Sequence, residues 1–166
     1  QDVETKAVRP CNPAVEFKKD PARWAATPKF RFILHQELEG KLAQIAAEPR
    51  TAPLLLNPET QALKAVVTSG VAAAHAFEIL QAAQLGDDLA LFQVLQPYPL
   101  HQAFISELLA NYETVLGIEE TMGVIEKQLA DRTRVKGKLT NDVPRVGELL
   151  PETIEGLMDG FAGRQA

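Results

Sequence analysis

The chain has 166 residues, 46% hydrophobic and 23% charged, with a net charge of −5. One domain, with or without an appendage, is expected, and a chain of this size buries roughly 70% of its unfolded surface without staples. The acidic balance excludes a sequence-independent grip on nucleic acid, which needs clustered Lys and Arg, and no apolar run approaches the ~20 residues that span a bilayer.

The single cysteine, Cys11, permits no intrachain disulfide and no CxxC metal or cluster site. A reducing, cytoplasmic setting is expected, and no secretory signal opens the chain. The first residue is Gln1 rather than Met, so a piece of something longer is expected.

In chain order, residues 1–28 carry Pro10, Pro13, Pro21 and Pro28 among charges, the pattern of an extended, Pro-rich leader or linker. Only Val15, Phe17 and Trp24 could anchor it, and docking of Phe17 and Trp24 would have to supply its order. Residues 29–62 read as a helical arm and a connection. Phe32, Leu34, Leu38, Leu42 and Ile45 fall near one helical face, Pro49 and Pro53 end the helix, and LLLN at 54–57 is a short strand.

From Leu63 to the end, strands and helices alternate. In LKAVVTSGVAAAHAFEILQAAQL a β-branched run gives way after Gly70 to apolar residues at three- and four-residue steps, which is strand, turn, helix. ALFQVLQ forms a second strand ended by PYP at 97–99, and a helix follows from Leu100 to Ala110. TVLGIEE at 114–120 is a third strand, and its helix is expected to start on a Thr121 cap. TRVKGKL at 133–139 reads as a charged edge strand, and Pro151 opens a last helix, PETIEGLMDGFAG. Such alternation predicts an α/β, three-layer αβα fold with a mostly parallel sheet of about five strands.

Few positions invite chemistry. Thr68, Ser69 and Gly70 stand where a strand becomes a helix. GxGxxG, the Walker loop and the GxSxG elbow are all missing there. A structural corner is favoured over loose anion binding at the helix N-terminus, and a hydrolase built on Ser69 lacks a base positioned by the sequence. His75 and Glu78 lie three apart on one helix, but catalytic zinc takes three protein ligands, so a packed imidazole is favoured. The other histidines are His35 and His101, and the pattern of a complete zinc site is not read from them. Glu119 and Glu120 close the third strand. They read either as a ligand or domain contact at the strand carboxyl end or as solvated acids favouring the next helix N-terminus. Arg132, Arg134, Lys136 and Lys138 alternate, which on a strand puts all four on one face; a charged edge explains this better than an anionic partner.

KAVVTSGVAAAHAFEILQAAQL, LFQVLQPYPLHQAFISELLANYETVLGIEET and VKGKLTNDVPRVGELLPETI, in this order, resemble one domain of the indolepyruvate:ferredoxin oxidoreductase alpha subunit family. DPARWAATPKFRFILHQELEGKL is similar to the segment preceding that domain, so the likeness covers about residues 20–155. These are thiamine-diphosphate-dependent 2-oxoacid:ferredoxin oxidoreductases. The resemblance implies a transketolase C-terminal-like domain, with Glu119 and Glu120 matching the family's acidic strand end. It also implies a complete enzyme that oxidatively decarboxylates an aryl or related 2-oxoacid to an acyl-CoA. That enzyme holds thiamine diphosphate, magnesium and iron–sulfur (4Fe-4S) clusters, and uses coenzyme A and ferredoxin. The GDG…N motif and the cluster cysteines of that family are absent from this sequence, so no catalytic, cofactor-binding or metal residue carries over. Thr68, Ser69, Gly70, Glu119 and Glu120 are then interface or loop candidates. The expected role is a non-catalytic structural and interface domain, in contact with other domains or subunits and part of an oligomer. The alternative is a free-standing α/β interaction or small-ligand-binding subunit. Relatives often carry an aromatic after TSGVA, where this chain continues with Ala.

Overall fold

The computed structural model describes residues 16–24 and 27–164, with the backbone alone of Ala22 and Trp24. Cys11, Val15 and the Trp24 side chain therefore lie outside the described residues. Spatially the chain divides into two compact units, Gln1–Leu38 and Glu39–Ala166.

In the first unit, α1 (Pro21–Trp24) is a single turn and α2 begins at Pro28, running to Ala46 across the division. Arg23 pairs with Glu37 at 2.9 Å. Phe17 is 79% exposed and Phe32 69% exposed. Leu38 and Ile45 are exposed as well, while Leu34 and Leu42 are half-buried.

The second unit is built on five strands: β1 (Leu54–Leu55), β2 (Lys64–Ser69), β3 (Leu89–Val94), β4 (Thr114–Ile118) and β5 (Val135–Lys136), in the order β1-β3-β2-β4-β5. All pairs are parallel except β1 with β3. The sequence Ala65-Val66-Val67-Thr68 suits the central position: a strand paired on both sides and covered on both faces must be apolar or β-branched throughout, and all four residues are buried. β1 is short because Asn57 takes over its work. The Asn57 Nδ2 group donates to Gly86 O and Leu89 O, and its Oδ1 accepts from Leu91 N at 2.9 Å.

Period two sorts the sheet into two cores. Val66, Leu91, Leu116 and Ile118 pack under α3 (Gly70–Ala82) and α6 (Pro151–Ala162). Ala65, Val67, Ala90 and Val115 pack under α4 (Gln102–Asn111) and α5 (Val124–Leu129). The result is the expected αβα sandwich. Lys64 at the start of β2 donates from Nζ to Phe161 O (2.9 Å) and Ala162 O (3.2 Å), placing a cation on the carbonyls that end α6, the favourable end of the helix dipole.

Two expectations change. The edge strand read over 133–139 shrinks to β5, because Asp131 turns the chain just before it. Its carboxylate accepts from the Thr133 hydroxyl (2.7 Å) and Arg134 Nε (2.7 Å), and these contacts hold its pKa well below the usual carboxylate range. The four basic residues therefore form no single strip: Arg134 reaches back to Leu109 O, and Lys138 is only 4% exposed. The helix expected from a Thr121 cap starts instead at Val124, with Gly123 at the cap position, since its N-terminal amides find another acceptor.

Candidate functional site at the carboxyl edge of the sheet

From β2 the chain enters α3 on one face, and from the adjacent β4 it enters α5 on the other. Neighbouring strands whose connections leave to opposite faces open a crevice at their carboxyl ends, the usual ligand position in open parallel sheets. Thr68 pairs with Ile118, so Ser69–Gly70 and Glu119–Glu120 emerge side by side. The sequence candidates from two distant segments are thus brought to one edge.

The corner itself is a glycine. Gly70 has φ +60°, in the left-handed region where a Cβ costs ~1–2 kcal/mol, and a Cβ there would meet nothing within 4 Å. The need for glycine is conformational, not a matter of close approach. Ser69 is extended and makes no side-chain cap bond to α3. Thr68 Oγ1 is buried without a hydrogen-bond partner among the described residues. His75 is half-buried on α3, and His101 caps α4, with Nδ1 accepting from Phe104 N at 3.4 Å. Among the described residues no group of three or more His, Cys, Asp and Glu side chains could hold a metal ion.

Glu119 and Glu120 have opposite fates. The Glu119 carboxylate turns inward and caps α5, with Oε1 accepting from Ile125 N (2.8 Å) and Oε2 from Glu126 N (3.0 Å). This is the acceptor that replaces Thr121. Burial pushes the Glu119 pKa up, the backbone N–H groups at 124–126 pull it back, and the Glu126 carboxylate adds to the rise. The Glu120 side chain is exposed, while its carbonyl accepts from Lys138 Nζ at 2.8 Å.

Sequence reasoning missed Glu126 and took Lys138 for part of a charged edge. Both are buried, and the Glu126 carboxylate accepts from Leu139 N with Oε1 at 3.2 Å and Oε2 at 3.0 Å. It lies directly over Gly137, where a Cβ would stand 2.6 Å from Oε2, and beside Gly123, where one would stand 3.0 Å away. A signal was available: a lone glycine inside a strand pattern, as in VKGKL, marks close approach of other groups. On the β3 side, Gln128 of α5 accepts from Leu100 N (2.7 Å) and donates to Pro97 O (2.7 Å), fixing the PYPL loop.

Around this polar interior several large apolar side chains are exposed. Val71 follows β2, Leu95 and Tyr98 follow β3, Met122 follows β4, and Val146 and Leu150 lie between β5 and α6, all of them exposed. Met122 is 65% exposed and Val146 is 86% exposed. The other exposed large hydrophobics among the described residues of this unit are Ile45, Leu54 and Leu63.

No family model matches the chain. Over 156 residues it is 27% identical to the indolepyruvate oxidoreductase subunit IorA of Methanothermobacter marburgensis, and 26% identical to that of Methanothermobacter thermautotrophicus. The chain is a relative of these IorA subunits. The match takes in 89% of this chain, and therefore most of the sheet, but 25% of each relative; the chain spans about a quarter of the length of the IorA proteins it matches. Among solved structures it is similar to a split-gene transketolase, an inactive beta4 tetramer, with a TM-score of 0.48 and 14% identity over 72% of this chain and 44% of that one. No helix among the described residues is long and apolar enough to cross a membrane.

Proposed function

We propose that this chain is a non-catalytic structural and interface domain, transketolase C-terminal-like, of a thiamine-diphosphate-dependent 2-oxoacid:ferredoxin oxidoreductase acting on indolepyruvate or a related aryl 2-oxoacid. The relationship to IorA supports the enzyme class. One observation carries the non-catalytic role: the two carboxylates buried at the switch point, Glu119 and Glu126, are both taken up by backbone amides. The corner residue is Gly70, which has no side chain to offer. Both oxygens of Glu119 accept backbone amides of α5, and both oxygens of Glu126 accept Leu139 N.

What the edge presents outward instead is Val71, Leu95, Tyr98 and Met122, exposed apolar side chains that follow three neighbouring strands; exposed apolar surface of this kind marks protein contact. In this reading other domains or subunits of the oxidoreductase cover it. The residues present do not fit thiamine diphosphate, magnesium or an iron–sulfur cluster, for want of the GDG…N motif and the cluster cysteines, so no step is assigned to those groups here. They belong, with the coenzyme A and ferredoxin sites, to parts of the enzyme outside this chain.

The test is a pair of variants in the complete oxidoreductase. Ser69→Ala should leave turnover unchanged and stability nearly so, because no cap bond is lost. Gly70→Ala should destabilise the domain by about 1 kcal/mol or more, because alanine is strained at positive φ. A Ser69→Ala enzyme that folds normally but has lost turnover would refute the non-catalytic reading.

A further inference from the structure

Beside the switch point, the chain folds three cations around one hollow. Lys127 on α5, Lys138 after β5 and Arg145 in the loop toward α6 line a pocket of about 210 Å³, together with Thr121, Met122 and Leu139. They come from three separate segments, so the cluster is tertiary and not a run of sequence. No carboxylate lines the pocket. Two neighbouring acids are engaged elsewhere, Glu119 by the amides of α5 and Glu126 by Leu139 N, and Glu120 meets Lys138 through its carbonyl, its side chain being exposed. None of the three cations has an ion pair among the described residues.

Two of the three are fixed in place. Lys138 Nζ donates to Glu120 O at 2.8 Å, and Arg145 Nε donates to Lys138 O at 3.0 Å. Each spends one donor on this anchoring, whereas an ammonium has three N–H donors and a guanidinium five. Lys138 is 96% buried, being 4% exposed, and a buried ammonium held mainly by a carbonyl calls for an anion. In a chain of net charge −5, three cations lining one pocket with no carboxylate in its lining favour the company of an anion.

We infer that this pocket is a seat for a phosphate-class oxyanion, either the free ion or the phosphoryl end of a larger molecule. Its volume, about 210 Å³, lies below the roughly 300–1,000 Å³ of pockets that enclose a whole organic ligand. The Thr121 hydroxyl adds an uncharged donor to the ammonium and guanidinium groups. The seat stands independently of the oxidoreductase reading, and its test uses the full 166-residue chain alone.

The measurement is titration with inorganic phosphate and, separately, with glycerol 3-phosphate, followed by backbone amide shifts in two-dimensional NMR. Sodium chloride of equal ionic strength is the control. Saturable shifts confined to 121–127, 137–139 and 145 are expected. Binding of both probes identifies a terminal phosphoryl group as the ligand, and binding of phosphate alone identifies the free ion; either supports the seat. Lys127→Gln and Arg145→Gln replace exposed residues and should leave the fold intact, each weakening phosphate about tenfold or more as a charge-assisted bond is lost. Lys127→Arg should retain binding. Equal shifts with chloride, no saturation with either probe, or unchanged affinity in the Lys127→Gln/Arg145→Gln double variant would overturn the inference.

Discussion

Glu119→Ala should lower the unfolding free energy of the chain by about 2–4 kcal/mol, the cost of leaving two buried amides without an acceptor. Its carboxylate takes Ile125 N at 2.8 Å and Glu126 N at 3.0 Å, and Gly123 at the cap position provides no side-chain substitute. Because whole domains are stable by only about 5–15 kcal/mol, such a loss is easily read as a lower urea midpoint at unchanged slope. Glu119→Gln keeps one carbonyl acceptor and should lose less than Glu119→Ala. A Glu119→Ala chain as stable as the parent would show that α5 does not depend on this cap.

Gly137→Ala should be nearly as damaging, at about 2–3 kcal/mol, although it adds a single methyl group. That methyl would stand 2.6 Å from Oε2 and 2.8 Å from Cδ of Glu126. The Glu126 carboxylate cannot retreat cheaply, because it is buried and held by Leu139 N. The mechanism predicts its own rescue. Glu126→Ala removes the obstacle, so the double variant should cost clearly less than the sum of the single costs, a coupling that a double-mutant cycle reads directly. Strict additivity would mean that Gly137 is required for some other reason.

These two sites mark the boundary of what sequence could show. The parallel αβα architecture was legible because Ala65–Thr68 is apolar or β-branched without interruption, and because the period changes at a glycine. Gly70 as a conformational corner followed from the same stretch, and its φ of +60° agrees. The role of Glu119 was half legible: an acid near the start of a helix was foreseen. That it reaches past Thr121 to cap α5 depends on the path of the 120–123 loop, which no local pattern encodes. Glu126 was passed over, because α5 is too short to show which face is buried. The alternation of Arg134, Lys136 and Lys138 imitated a strand face, whereas the Asp131 turn and the fold over Gly137 send these side chains to different places. The arm shows the converse case: Phe32 and Leu38 have helical period yet are exposed, since period alone does not supply something to pack against.

The central claim is that the carboxyl edge of this domain is a contact surface and not a reaction site. Hydrogen–deuterium exchange compares that edge directly in the isolated chain and in the complete oxidoreductase. The account predicts that amides at 70–73, 95–98, 121–123 and 145–150 become strongly protected in the complete enzyme, while those of the buried β2 and β4 remain equally slow in both. Edge amides that exchange equally fast in the isolated chain and in the complete enzyme would contradict it.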